Sequence, residues 1–153
     1  MKLRDIFSPE AIALDMTSRD KPSALQELVT LIKSAYPTID EEKAIQVLLD
    51  RERLGSTAIG EGVAIPHGKL DGLSHVIGAF ARSRAGIAFD SYDEKLTHLF
   101  FILVAPEGPH GVSDHLKALA KISRLLRNLE FRQRLYEIND KEEMYQLLAH
   151  SDA

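Results

Sequence analysis

A histidine between a proline and a glycine is the residue of this chain whose neighbours best suit it to chemistry. His67 lies in the glycine-rich stretch GSTAIGEGVAIPHGK, residues 55–69. The apolar run 63–65 predicts a short buried strand that ends at Pro66, because proline fixes its own φ and has no amide proton to donate. We therefore expect His67 on a stiff turn just past the strand, where an imidazole can act as a nucleophile or a ligand. Spacing alone equally allows an ordinary surface histidine.

Arginine, hydroxyl and imidazole groups elsewhere in the chain could support phosphorylation of His67. Near neutral pH an unperturbed histidine is largely uncharged, so one ring nitrogen can attack phosphorus without a separate base. The transferring group then needs charge stabilisation, which a guanidinium fork, hydroxyl groups and the amides at a helix start can give. The candidates are Arg51, Ser56, Thr57, and His115 in the first turn of a helix predicted over 114–127. Each also has a purely structural interpretation, and only their joint presence favours this chemistry.

Several common catalytic motifs are absent from the chain. The nearest approach to a phosphate-binding P-loop fails because His67 stands where its second glycine is required. No G-x-S-x-G, H-E-x-x-H or G-x-G-x-x-G pattern occurs. His110 and His115 lie five residues apart, which is off the i, i+4 spacing of two helical metal ligands. We therefore predict no metal and no cofactor, with a zinc hydrolase built on other histidines as an open alternative.

Composition predicts one globular domain over residues 1–153. The chain is 44% hydrophobic and has no cysteine, so we expect an ordinary core without disulfides or thiolate metal ligands. A formal net charge of −4 argues against non-specific nucleic-acid binding, which needs a basic patch. No signal peptide and no run of eighteen apolar residues is present, so we expect a soluble, cytoplasmic protein without membrane insertion.

The elements that must position these residues follow from apolar periodicity and from capping residues. We predict strands over 11–16, 75–83 and 96–106, with a short strand or extension at 86–89. Helices are predicted over 18–37, from Thr38 or Asp40 to about 50–54, over 114–127 behind Ser113 as N-cap, and from Asp140 onward. Arg51 and Arg53 cannot share a helix face, so at most one of them points at His67.

Helices on both sides of a strand-rich middle predict a three-layer α/β sandwich. Some strand-to-strand links contain no helix, so the central β-sheet is expected to be mixed, with helices on both faces.

The motif R-E-x-x-x-S-T, beginning at Arg51 and followed by IGEGVAIPHGK, resembles the active-site signature of type II enzyme IIA (EIIA) domains. These domains belong to the bacterial phosphoenolpyruvate-dependent phosphotransferase system. The resemblance spans essentially the whole chain, and it implies the α/β sandwich around a mixed sheet. It also implies that His67 is phosphorylated at its tele (Nε2) nitrogen by the phosphohistidine of HPr or of its nitrogen-branch relative. Arg51 and His115 match the supporting positions of the family.

The sequence around the motif is most similar to the nitrogen-type group of these domains. That resemblance implies a regulator whose phosphorylation state tunes its binding to other proteins. A sugar-specific IIA subunit, which passes phosphate to a IIB cysteine, is the first alternative. A protein-interaction module with an unmodified histidine is the alternative from another class. The sequence does not identify the regulated partners.

Overall fold

Two long antiparallel strands form the centre of the sheet in this computed structural model, which describes residues 1–151. The strands are β1 (Ile12–Ala13), β2 (Ala58–Gly60), β3 (Val63–Ala64), β4 (His67–Lys69), β5 (Ile77–Ile87) and β6 (Thr97–Ala105). Their order is β1-β5-β6-β3-β2, and β4 pairs with β6 beyond the end of β3. β3 and β4 run parallel to β6, whereas β5 runs antiparallel to it, so the sheet is mixed as predicted.

Helices cover both faces of this sheet. They are α1 (Leu3–Ile6), α2 (Lys21–Ala35), α3 (Glu41–Leu54), α4 (Pro109–Leu125), α5 (Leu129–Glu137) and α6 (Lys141–Ala149), with a short 3₁₀ turn at Pro9–Ala11. Alternate residues of β6 enter two separate cores, because side chains of a strand point to opposite faces. Phe100 and Ile102 pack with α2 and α3, whereas Phe101 and Leu103 pack with the other four helices. The predicted three-layer sandwich is confirmed.

The capping residues predicted the starts of two helices correctly. Asp40 is the N-cap of α3 and accepts from the Lys43 amide, so Asp40 and not Thr38 is the cap. Asp140 accepts from the Glu143 amide at the start of α6. A side-chain oxygen at the N-cap satisfies a backbone donor that has no partner inside the helix, which explains why these positions were readable from sequence.

Three predictions about element boundaries were wrong. α4 begins at Pro109 and not at 114, because proline suits the first helical position and Gly108 takes a φ of +94° just before it. The first strand contains only Ile12–Ala13, since Ala11 belongs to the 3₁₀ turn and the chain bends at residues 14–15. α5 was missed: Asn128 caps a further helix over Leu129–Glu137, where none was predicted. No helix within residues 1–151 has the length and apolar character needed to span a membrane.

Arg82 is buried in the sheet and binds the end of α5. Its side chain is 1% exposed, and its Nη1 donates to the carbonyls of Leu135 (2.9 Å) and Ile138 (2.6 Å). Its Nε also donates to the carbonyl of Leu14 at 3.1 Å. A cation at a helix C-terminus is favoured by the unpaired carbonyls there, so Arg82 joins α5 to the sheet.

We expect Arg82→Met to lower the free energy of unfolding by about 3 kcal/mol, because several buried carbonyls lose their donor. Arg84→Met is the matched control: Arg84 is exposed and pairs with Asp15 at 3.2 Å, so its loss is expected to cost less than about 1 kcal/mol. Urea unfolding of both variants measures the difference. Equal losses would contradict a structural role for Arg82.

Candidate functional site

A cavity of about 650 Å³ opens at the edge of the sheet where β4 lies between α3 and α4. β4 pairs with β6 on one side only, so the two helices from opposite faces approach each other around it. The cavity is lined by His67, His115 and Arg51, by Lys69 and Asp50, and by the apolar side chains of Val47, Leu54, Val112, Leu116 and Leu119. Three of the five predicted site residues therefore meet at one cavity.

His67 begins a strand; it does not lie on a turn, which corrects the sequence prediction. The chain resumes pairing with β6 directly after Pro66, with His67 opposite Leu103. The Leu103 amide donates to the Pro66 carbonyl at 3.0 Å, because proline lacks a donor but keeps its acceptor. The imidazole is consequently held by a paired backbone at the mouth of the cavity.

The His67 ring is fixed in one tautomer. Its Nδ1 lies 2.7 Å from the Ile65 carbonyl oxygen, and a carbonyl can only accept, so Nδ1 carries the proton. In the neutral ring Nε2 is then the unprotonated nitrogen with a free electron pair. Burial lowers the pKa of His67; the bond to Ile65 opposes that effect, and the nearby charge of Arg51 adds to it. The site holds a neutral imidazole that is ready to act as a nucleophile.

His115 belongs to α4, and its ring lies beside the ring of His67. The ring centroids are 5.0 Å apart, with the planes at 74° to each other. His115 is 6% exposed, and burial lowers its pKa to about 4, with smaller contributions from His67 and Lys69. Its Nε2 makes no hydrogen bond to any group in residues 1–151. A second neutral imidazole thus packs against the first, and its buried Nε2 has no hydrogen-bond partner among the described residues.

His115 lies in the second turn of α4, and not in the first as expected. It occupies a buried stripe with Gly111, Ala118 and Ile122, where an apolar residue would be usual. Leu116, by contrast, is 63% exposed beside the cavity. Small residues and a histidine carry little hydrophobic signal, so apolar spacing does not reveal this stripe.

Arg51, and not Arg53, lines the cavity. Its Nη1 donates to the Gly55 carbonyl at 2.9 Å, which folds the side chain over the end of α3. Arg53 points elsewhere and pairs with Asp50 three residues earlier in the helix. One arginine of the two therefore reaches the site, as the helix geometry required.

Ser56 and Thr57 do not line the cavity. The Ser56 hydroxyl donates to the Phe89 carbonyl at 2.6 Å, and the Thr57 hydroxyl is hydrogen-bonded to the Glu52 carboxylate. Thr57 is also almost fully buried. Both side chains hold the turn that follows α3, so they reach the site only through the backbone that carries Arg51.

Two features of the site were not predicted from the sequence. Lys69 lies two residues after His67 and adds a second cation to the cavity wall. Leu54 (85% exposed), Leu116 and Val112 form an apolar rim on both sides of the opening. A leucine at a helix end beside a glycine-rich loop is the kind of signal that could have identified the rim.

Gly68 allows α3 to approach β4 closely. A Cβ atom at Gly68 would lie 2.3 Å from Cγ1 of Val47, well inside van der Waals contact. Because glycine has no Cβ, the helix can pack directly behind His67. It brings the end of α3, and hence Arg51, next to the imidazole.

A mixed sheet between two helical layers, with two histidines facing a cavity at its edge, defines an α/β domain built around an imidazole pair. A family model described as "Phosphoenolpyruvate-dependent sugar phosphotransferase system, EIIA 2" matches residues 5–151. The chain belongs to this family. It is therefore a phosphotransfer component of that system.

Relatives with a regulatory name are among the most similar proteins. The chain is 46% identical to a nitrogen regulatory protein of Bradyrhizobium diazoefficiens, over 97% of this chain and 95% of that one. It is 36% identical to a fructose-specific EIIA component of Haloferax volcanii, over 92% and 90% of the two chains. The crystal structure of the nitrogen regulatory protein IIA-Ntr from Neisseria meningitidis superposes with a TM-score of 0.86 at 34% identity, covering 95% of this chain and 98% of that one. These likenesses support a phosphoryl carrier with a regulatory role.

The depressed pKa of His115 predicts that folding stability falls with acidity. Between pH 6.5 and about 4 the unfolded chain binds a proton at this residue that the folded chain excludes, so stability is full above pH 6.5 and decreases below it. The loss approaches roughly 3 kcal/mol at the acid end. His115→Gln should flatten this slope in urea unfolding at a series of pH values. An unchanged slope would mean that His115 titrates normally in the folded state.

Proposed function

We propose that the protein accepts a phosphoryl group on Nε2 of His67 from the phosphohistidine of a small HPr-type carrier. The observation that carries this proposal is the His67 ring, whose Nδ1 is bound to a backbone carbonyl while the ring itself lines an open cavity. Family membership supplies the phosphotransferase system in which such a carrier operates. The chemistry then needs a neutral nucleophile and groups that stabilise the charge of the phosphoryl oxygens.

The transfer exchanges one N–P bond for another. The N–P bond of the donor breaks as the bond from His67 Nε2 to phosphorus forms, and the Nδ1 proton stays on Nδ1, hydrogen-bonded to the Ile65 carbonyl. Because the donor bond is already activated, the protein has mainly to align the two rings and to stabilise charge. Arg51 can donate to the phosphoryl oxygens from one side of the cavity, and an N–H of neutral His115 can donate from the other.

Ser56 and Thr57 contribute through the turn and not as direct ligands in the unphosphorylated state. Their hydroxyls would have to leave Phe89 and Glu52 before they could bind phosphate. We therefore assign them to the support of Arg51.

The phosphorylated protein would act as a regulator of the nitrogen type. Phosphorylation adds roughly −1.5 to −2 charges at pH 7. That charge would appear beside the apolar rim of Leu54, Val112 and Leu116, where it would change the affinity of a partner protein bound there. The similarity to proteins named nitrogen regulatory protein supports this reading. The phosphorylation state would thereby allow one partner protein to bind and prevent another from binding.

The likeness to the fructose-specific EIIA component supports a second candidate, in which His67 passes its phosphoryl group to a cysteine of a IIB domain. The two functions differ in what happens to a radiolabelled phosphoryl group on His67. A fructose-type IIB domain added to the phosphorylated protein should gain phosphate within seconds if the protein is a sugar-specific subunit. If the protein is a regulator, the label should remain on it.

We expect phosphoenolpyruvate, enzyme I and an HPr-type carrier to label the protein at His67 alone, through Nε2. His67→Ala should abolish labelling, whereas His75→Ala, which removes an exposed histidine outside the cavity, should leave it intact. Two-dimensional ¹H–¹⁵N NMR of the phosphoprotein identifies the modified nitrogen. Phosphate on Nδ1, or full labelling of His67→Ala, would refute the assignment.

Arg51→Ala should slow phosphoryl transfer by about tenfold to hundredfold, since a charged hydrogen bond to the phosphoryl group is lost. Arg53→Ala is the matched control, because Arg53 lies two residues away and lines no part of the cavity. Rapid-quench measurement of labelling rates compares the two variants. The reverse order of effects would show that Arg53 is the functional arginine.

A further inference from the structure

A buried carboxylate lies directly behind the cavity. The Glu52 side chain is 5% exposed, and its Oε1 pairs with Nζ of Lys21 at 2.9 Å. Lys21 begins α2, on the same face of the sheet as α3. A buried ion pair of this kind is often no more stabilising than apolar residues of the same size, so stability alone does not account for it.

Glu52 holds the turn that follows α3. Its Oε1 accepts from the Thr57 amide at 3.1 Å, and its other oxygen is hydrogen-bonded to the Thr57 hydroxyl. The neighbouring Arg51 donates to the Gly55 carbonyl at 2.9 Å. Two consecutive side chains of the helix thus bind the two ends of the same three-residue turn.

Lys21 connects the turn after α3 to Phe89 and Asp90. Its Nζ also lies 3.2 Å from Asp90 and 4.7 Å from the centroid of the Phe89 ring. The Phe89 carbonyl in turn accepts from the Ser56 hydroxyl. The turn is therefore bound at each of its three residues: Glu52 makes both contacts to Thr57, and Lys21 contacts Glu52 and the Phe89 ring.

We propose that Glu52, neutralised by Lys21, is a positioning residue that keeps the Arg51 guanidinium at the cavity beside His67. The inference rests on the proposed function, because it assigns Glu52 to the same phosphoryl transfer. Arg51 lies in the last turn of its helix, where ends fray, and its side chain has four rotatable bonds. Without the clamp on Thr57 the Gly55 carbonyl is free to move, and Arg51 loses the contact that folds it over the helix end.

The position of Glu52 also places its charge near the reacting ring. Burial and Arg51 lower the pKa of His67, and the charge of Glu52 acts in the opposite sense. Glu52 does not line the cavity, so it touches no part of the phosphoryl group. Its hydrogen bonds reach the cavity through the turn and Arg51, and a double-mutant cycle separates this route from the direct effect of its charge on His67.

A double-mutant cycle between Glu52 and Arg51 tests this dependence. The probe is an HPr-type carrier phosphorylated with enzyme I and phosphoenolpyruvate, and the readout is the single-turnover rate of labelling over a range of carrier concentrations. Glu52→Ala should lower the maximal rate about tenfold while the half-saturating carrier concentration stays unchanged. In the Arg51→Ala background the same substitution should lower the rate by less than about twofold.

An equal loss in both backgrounds would overturn the proposal, since a merely structural effect does not depend on Arg51. Glu52→Gln is the second variant in case Glu52→Ala does not fold: it keeps an acceptor for Thr57, and its effect too must vanish without Arg51. The control pair is Lys43 and Asp71, an exposed ion pair 3.8 Å apart whose Lys43→Met and Asp71→Asn variants should transfer normally. If the wild-type protein takes no label at His67, the proposed function fails instead.

Discussion

The hydrogen bond from Nδ1 of His67 to the Ile65 carbonyl determines which ring nitrogen carries the proton and which keeps a free electron pair. It joins two residues on either side of Pro66 and spans 2.7 Å. The backbone on both sides is held by β6, because β3 and β4 pair with it in turn. A tautomer that depends on such a short local contact is stable only if the strand geometry around it is rigid, and here the central strand of the sheet provides that rigidity.

Burial has a chemical effect at this site as well as a structural one. The burial of His67 and of His115 lowers the pKa of both rings, and so disfavours two positive charges 5.0 Å apart. Two neutral imidazoles contribute no positive charge to the cavity. Its positive charge comes from Arg51 and Lys69, which lie on the cavity wall.

Two helices from opposite faces of the sheet, α3 and α4, both line the cavity. α3 packs with the core that contains Phe100, and α4 packs with the core that contains Phe101. They approach each other because β4 is short and has a neighbour on one side only. The close contact of Gly68 with Val47 sets how near α3 can come. The position of Arg51 relative to His67 is thus a consequence of how the sheet ends.

Local sequence signals were enough to predict much of the fold and of the candidate site. Capping aspartates such as Asp40, the unbroken apolar strand around Phe100, and the proline and glycine that flank His67 each act over a few residues, and so each could be read directly. They predicted the mixed sandwich, and the family motif singled out His67, Arg51 and His115. What only the tertiary structure decided depends on contacts between distant segments: the strand that resumes at His67, the burial of His115 in α4, and the Glu52 carboxylate that binds Thr57 and Lys21. Hydrophobic periodicity reports which face of an element is apolar, but it does not report which polar side chains the packed elements bring together.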